Sequence, residues 1–549
     1  MRAVIMRTRC LDHLCRLIVL TLCCCVLCSC GADVASYATS SASDADYLTF
    51  LDEEPESADP QCVLARYTVP LNVFDRLVEV SEDDASKLKP SLADSWEVSE
   101  DGLVYTFHLH EGVLFSNGSK LLADDVKFSF ERLLTHPQSK HQDLLINVVG
   151  ANELQEGTAE ELKGFQIVDD HTFAITLQEP SVAFLPSLSS PPLSIYDKET
   201  TTEAGSAFGR DVEQTVGTGP FVLENWDAGK SITMKANHHC WCGAPACSGL
   251  RMLFYSESDS LHDMYHQDKI DIMDLDMLGM DAEYFLRGDE YLRNLVRGRR
   301  VGITYVALNE SVEPLADVRV RRALQMGLDR GALLQASIGG RGTIENGIFP
   351  RGLKGHNQDL SSIPYDAEQA RELLYDAGYE DGFELEVSYS LDSSQNLRDL
   401  LEIAASMWRE LGIRVFVVGL APEEFVSQRN AGKLACYAST FSADYNDPQN
   451  IIYPFFGNKR NSASRSLCYK DEEVMERVRR ASSITDDTLR MEEYHALEER
   501  IVHDDAAWIP LFSRLHFFVV SDRVKGFEVS WNGWSSSRYA NVSLTKAGE

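Results

Sequence analysis

The stretch from residue 90 to residue 134, PSLADSWEVSEDGLVYTFHLHEGVLFSNGSKLLADDVKFSFERLL, constrains the fold more than any other part of the chain. Leu103, Tyr105, Phe107 and Leu109 alternate with Val104, Thr106, His108 and His110. That period of two predicts a strand with two distinct faces. Ser99-Glu100-Asp101-Gly102 separates it from Trp96-Glu97-Val98. A glycine free to take positive φ after an acidic pair predicts a hairpin turn there. Ser116-Asn117-Gly118 predicts a second turn, and Asp124 then caps a helix carrying Val126, Phe130 and Leu133 on one face. The order is strand, turn, strand, turn, helix, which is a fold signal without chemistry.

The wording of this stretch is specific: Pro90, Leu92-Ala93, Ser95-Trp96, Tyr105-Thr106-Phe107-x-Leu109, Phe115-x-Asn117-Gly118 and Asp124-Asp125-Val126. It resembles the signature region of the extracytoplasmic solute-binding proteins of family 5, the oligopeptide- and dipeptide-binding lipoproteins of bacterial ABC importers. Further segments match the family in order. They include Asn72–Val80, Val216-Gly217-Thr218-Gly219-Pro220-Phe221, the stretch from Pro314 to Ala323, the stretch from Tyr365 to Tyr379 and Val524-Lys525-Gly526-Phe527. The resemblance implies an α/β fold of the two-winged periplasmic-binding-protein type with an additional lobe.

A chain of 549 residues is too long for one core and predicts two or three lobes. A net charge of −34 leaves no basic patch for phosphates and argues against nucleic acid. Arg2, Arg7, Arg9 and Arg16 precede an apolar run, residues 17–27, too short to span a bilayer but suited to a signal peptide. Leu27-Cys28-Ser29-Cys30-Gly31 resembles a lipobox, which implies cleavage after residue 29 and lipidation of Cys30. Removing residues 1–29 takes away four basic and one acidic side chain, so the charge becomes −37. Residues 30–46, rich in Ser, Ala and Asp, read as a flexible tether.

Cys62, Cys240, Cys242, Cys247, Cys436 and Cys468 remain after lipidation. An even number outside the cell suggests disulfides, with one local bridge expected within residues 240–247 and the other pairings open. His238-His239-Cys240-Trp241-Cys242 offers metal-ligand types, but neighbouring residues on a strand end point to opposite sides and converge poorly, so no metal or cofactor is expected. The Gly217-Thr218-Gly219-Pro220 turn lacks the Lys-Ser/Thr end of a phosphate loop, and Pro220 removes a donor. The arginines of residues 319–322 spread around a helix and are expected to be solvated or ion-paired.

Helical spacing follows Asp366 and ends at Gly378. Strand 383–389, helix 396–411 and strand 413–418 then predict a βαβ unit. Phe441-Ser442-Ala443-Asp444-Tyr445-Asn446-Asp447-Pro448 follows another short strand. In peptide-binding members of the family the matching loop supplies an aspartate to the ligand's ammonium. The resemblance places that role on Asp444, with Phe441 and Tyr445 lining the cleft and Asp447 as a turn residue. Two departures stand out. Ala438 occupies a position where oligopeptide binders often carry Arg, and Leu391-Asp392 stands where dipeptide binders place one.

The expected lobes are 47–76, 215–305 and 510–549 for the first, 77–214 for the second and 306–509 for the third. The expected function is capture of short peptides by a lipid-anchored, extracytoplasmic monomer that serves an ABC permease and its ATPase. The alternative is the same fold binding a nickel chelate, haem or an oligosaccharide. Neither G-x-S-x-G nor H-E-x-x-H occurs, so no hydrolase is expected.

Overall fold

The computed structural model describes residues 46–81, 84–255, 260–278, 282–393, 395–532 and 538–545. The expected signal peptide, Cys30 and the tether up to residue 45 lie outside the described residues.

The chain folds as an α/β protein of the two-winged periplasmic-binding type around one strand, Trp508–Val520. Its first half pairs antiparallel with Gly302–Leu308, and its last residues, Phe518 to Val520, pair with Ile272–Asp274. Leu295–Arg299 and Gly342–Ile344 add to the same strand, so a single thirteen-residue element serves both halves of a twelve-stranded sheet. Apolar and polar residues do not alternate steadily along this strand. Residues 508–513 are buried throughout and carry no face contrast to read.

On one side of this strand, Gly302–Leu308 pairs with Cys436–Ser442, followed by the parallel pair Glu384–Ser390 and Arg414–Leu420. The helix Gln395–Glu410 makes the crossover, and Gly412 at φ +93° lets the chain turn back after it. Trp408 is fully buried and donates its indole N–H to Leu324 O at 2.9 Å, so a large apolar side chain is placed without an orphaned donor. Asp317 and Asp366 accept backbone N–H groups at the starts of Val318–Met326 and Ala367–Asp376 and cap both helices.

A separate antiparallel sheet comprises Ala93–Val98, Val104–Leu109, Thr172–Thr176 and Phe165–Asp169. Phe107, Phe173 and Phe165 stack across it with ring centroids 5.3 and 4.8 Å apart. Helix Ala123–Thr135 lays Val126, Phe130 and Leu133 on this core, all at most 1% exposed. The expected cap is corrected: Asp125, not Asp124, reaches back to the Leu122 N–H at 2.9 Å, while Asp124 pairs with Lys198.

The motif glycines of residues 216–221 have a steric cause. A Cβ on Gly217 would fall 2.1 Å from Val73 O, and one on Gly219 2.6 Å from Val73 C, so only hydrogen fits where the two segments cross. Thr218 between them donates to Asp75. Arg321, within the basic run 319–322, is buried and donates to the carbonyls of Leu315, Ala316 and Asp505 and pairs with Glu310. That run serves the fold.

The local disulfide expected within residues 240–247 does not form. The sulfurs of Cys240 and Cys242 lie 3.0 Å apart as thiols, and Cys247 is buried in a hydrophobic core. Cys436 sits in another core, and all six described cysteines are free.

Candidate functional site

Asp444 stands on the loop after strand Cys436–Ser442, before helix Gln449–Phe456. The loop is held from both ends. Ala443 N–H donates to Val301 O at 3.0 Å, and Asp444 N–H donates to Asn450 Oδ1 at 3.0 Å. Asp447 accepts the Gln449 N–H and pairs with the fully buried Arg490, which fits its reading as a turn residue.

The Asp444 side chain is exposed to solvent, although protein atoms surround it at longer range. Burial raises its pKa. The Asn450 amide and the charges of His141 and Arg465 oppose that rise, while Asp143 adds to it. No described residue forms a salt bridge with Asp444. His141 and Asp143 come from the part of the chain that carries the four-stranded sheet, so the carboxylate faces side chains about three hundred residues away in sequence. Tyr67 also feels its charge and places a hydroxyl 3.3 Å from His141 Nε2. The His141 ring is fixed in turn by Val63 O at 2.7 Å.

Phe441 is half-buried and meets Phe455 edge-on at 6.4 Å. Tyr445 is half-buried beside Asn450, and burial pushes its hydroxyl pKa well above the ordinary value. Ala438 lies 1% exposed in the core on the sheet face opposite Tyr437, so an arginine there would have no route to the loop.

The seam beside this loop is closed. Asn446 Nδ2 donates to Ala85 O at 2.9 Å and to Gly352 O at 3.2 Å, and its Oδ1 accepts the Lys354 N–H at 2.6 Å. Val182 N–H donates to Ser482 O at 3.0 Å, a second bond across the same divide. A cavity of about 470 Å³ opens between Ala85–Ser86 and Leu353–His356 next to Asn446. Asp444 is not among the residues that line it.

Sequence reasoning reached Asp444 through its loop. It missed Tyr67, His141, Asp143 and Arg465, because no local pattern links segments that meet only in the fold.

Residues 87–463 match the family of bacterial extracellular solute-binding proteins, family 5, middle region. Heme-binding protein A of Haemophilus influenzae is 29% identical over 478 residues, covering 84% of this chain and 86% of that one. The dipeptide-binding protein of Escherichia coli is 28% identical over 538 residues, covering 94% and 97%. Among solved structures, the ABC transporter-associated periplasmic binding protein DppA from Helicobacter pylori, in complex with peptide STSA, superposes with a TM-score of 0.74. It is 24% identical, with 91% of this chain and 98% of that chain covered, a likeness of fold. With most of its length matched by the family and by relatives of full size, this chain belongs to the family 5 solute-binding proteins of bacterial ABC importers.

Proposed function

We propose that this protein captures short peptides in the cleft and delivers them to an ABC permease driven by its ATPase. It acts as a monomer anchored through lipidated Cys30 on the outer side of the cell membrane. Asp444 takes the ligand's N-terminal ammonium, and Phe441 and Tyr445 line the adjoining space. The first lobe is assembled from residues 47–76, 215–305 and 510–549, the second from 77–214 and the third from 306–509. Ligand capture shifts an open–closed equilibrium about the crossings near residues 305 and 510, and the closed form is what the permease reads. The chain performs no chemistry of its own.

The observation that carries this reading is the Asp444 carboxylate. Burial raises its pKa, and it has no ion-pair partner among the described residues. A bound ammonium would offset that desolvation and form charge-assisted hydrogen bonds with the carboxylate. The likeness to a protein named for dipeptide binding supports the ligand class. Backbone pairing and roomy pockets would account for the rest of the contact.

A second reading, haem, is favoured by the relative named heme-binding protein A. Native mass spectrometry of the purified protein, with fragmentation of whatever small molecule leaves it, separates the two. Masses that fragment as peptides support the first reading; a single porphyrin mass replaces it with the second and leaves Asp444 without the assigned role. Calorimetry tests the residue: Asp444→Ala should weaken peptide binding by about thirtyfold or more in a protein that still folds.

A further inference from the structure

His262 and His266 lie one turn apart on the short helix Leu261–His266, a spacing that puts both rings on the same face. Their ring centroids are 4.3 Å apart. Glu290, from the segment just before strand Leu295–Arg299, completes a trio whose ligand atoms all lie within 4.8 Å of one another. Two tyrosines organise the group. Tyr291 is fully buried, and its hydroxyl lies 2.6 Å from His262 Nδ1 and 3.1 Å from His266 Nε2. Tyr284 Oη lies 2.9 Å from His262 Nδ1 and 3.4 Å from Glu290 Oε1. The Tyr291 ring belongs to an apolar cluster with Phe285 and Leu261, separate from the one beneath the Asp444 loop.

From this geometry we propose a surface site for a divalent metal ion of the zinc class, held by His262, His266 and Glu290. The donor set decides the class. Two imidazoles and one carboxylate suit zinc and its neighbours, whereas calcium and magnesium call for oxygen throughout. Three protein ligands leave at least one position for water or an outside donor, as in open zinc sites. A tetrahedral ion with bonds of about 2.0–2.1 Å holds its ligand atoms roughly 3.4 Å apart, so small side-chain rotations close the trio. With Tyr284 donating to His262 Nδ1 and Tyr291 donating to His266 Nε2, each of those nitrogens carries the lone pair the ion would take. The displaced Tyr284 hydroxyl keeps its proton and its hydrogen bond to Glu290 Oε1, the outer-shell role that orients metal ligands. The buried Tyr291 ring limits the rotations available to both histidines, so much of the ordering cost is met before the ion arrives.

The test is zinc titration of the purified, chelator-stripped protein by calorimetry. The expected result is one ion per chain. His262→Ala/His266→Ala should abolish it, Glu290→Gln should weaken it at least tenfold, and Cys240→Ser/Cys242→Ser should leave it unchanged. All ligands are at least partly exposed, so melting curves of the variants should match the parent. Cobalt in place of zinc should give a d–d spectrum without thiolate-to-cobalt charge transfer. Unchanged binding in the double-histidine variant would overturn the site, as would a thiolate band lost in the cysteine variant or no zinc binding at all.

Discussion

Asn446 Nδ2 donates to Ala85 O at 2.9 Å, tying the Asp444 loop to a segment more than 350 residues earlier in the chain. The same amide also holds Gly352 and Lys354, so one side chain both shapes its own loop and closes the seam. The neighbouring Asp444 is therefore carried on a loop that this arrangement holds in place.

Asn446→Ala should shift the ligand-free protein toward an open form. Each lost hydrogen bond is worth about 0.5–1.5 kcal/mol, so ligand affinity should fall by roughly tenfold while the fold survives. Small-angle scattering should report a larger radius of gyration without ligand, and calorimetry the weaker binding. An unchanged radius would mean that the Val182–Ser482 bond holds the seam alone.

Asp444 has a raised pKa, so the folded protein holds a proton there more tightly than the unfolded chain does. The unfolded state then binds fewer protons, and stability falls as pH rises from 3.8 through the raised value. Asp444→Asn should accordingly raise the melting temperature of the ligand-free protein at neutral pH while weakening peptide capture. Peptide affinity should fall on acidification, because the ammonium needs the ionised carboxylate. The Asn variant should lose that dependence in calorimetry across pH 4–7.

Much of this architecture is legible locally. The helix at Ala123–Thr135 and the crossover helix at Gln395–Glu410 announce themselves through apolar spacing and end signals, because both lie against a core on one face only. The long strand Trp508–Val520 is half hidden, since burial on both sides erases alternation. Asp444 is marked by its loop, but the groups that set its electrostatics, Tyr67, His141 and Arg465, come from elsewhere in the chain. The His262–His266–Glu290 cluster escapes for a similar reason. A His-x-x-x-His pair on a short helix is unremarkable until Glu290 and Tyr291 fold back onto it, whereas the denser His238–Cys242 run draws the eye.

The fully buried Asp75 pairs with the partly buried Arg538 at the crossing into the four-stranded sheet, with Arg538 Nη2 2.8 Å from Asp75 Oδ1. Thr218 and the Trp241 indole N–H bond its other oxygen. Burial alone would raise the Asp75 pKa, yet Arg538 and Arg76 hold it below the ordinary value. The pair therefore stabilises fully above pH 3.8 and loses its contribution as pH falls through the depressed value. Asp75→Ala takes away the buried partner of Arg538 and the acceptor of Thr218 and Trp241, and should cost about 2–4 kcal/mol in denaturant unfolding at pH 7. A loss under 1 kcal/mol would show that Glu79, 2.8 Å from Arg538 Nη1, compensates.

Glu498 is 1% exposed, and its Oε1 accepts the Phe349 N–H at 2.8 Å while Oε2 has no partner. Burial pushes its pKa up to about 8, and the nearby Glu345 carboxylate adds to the rise. Folded protein thus keeps the proton at neutral pH, whereas the unfolded chain releases it near 4.5. Stability attributable to this group falls steadily as pH climbs from 4.5 to about 8 and is level beyond. Glu498→Gln keeps the acceptor for Phe349 and removes the titration. Urea unfolding from pH 5 to 9 should show a shallower decline for the variant, with the gap in its favour widest above pH 8. Parallel curves would place the protonation elsewhere.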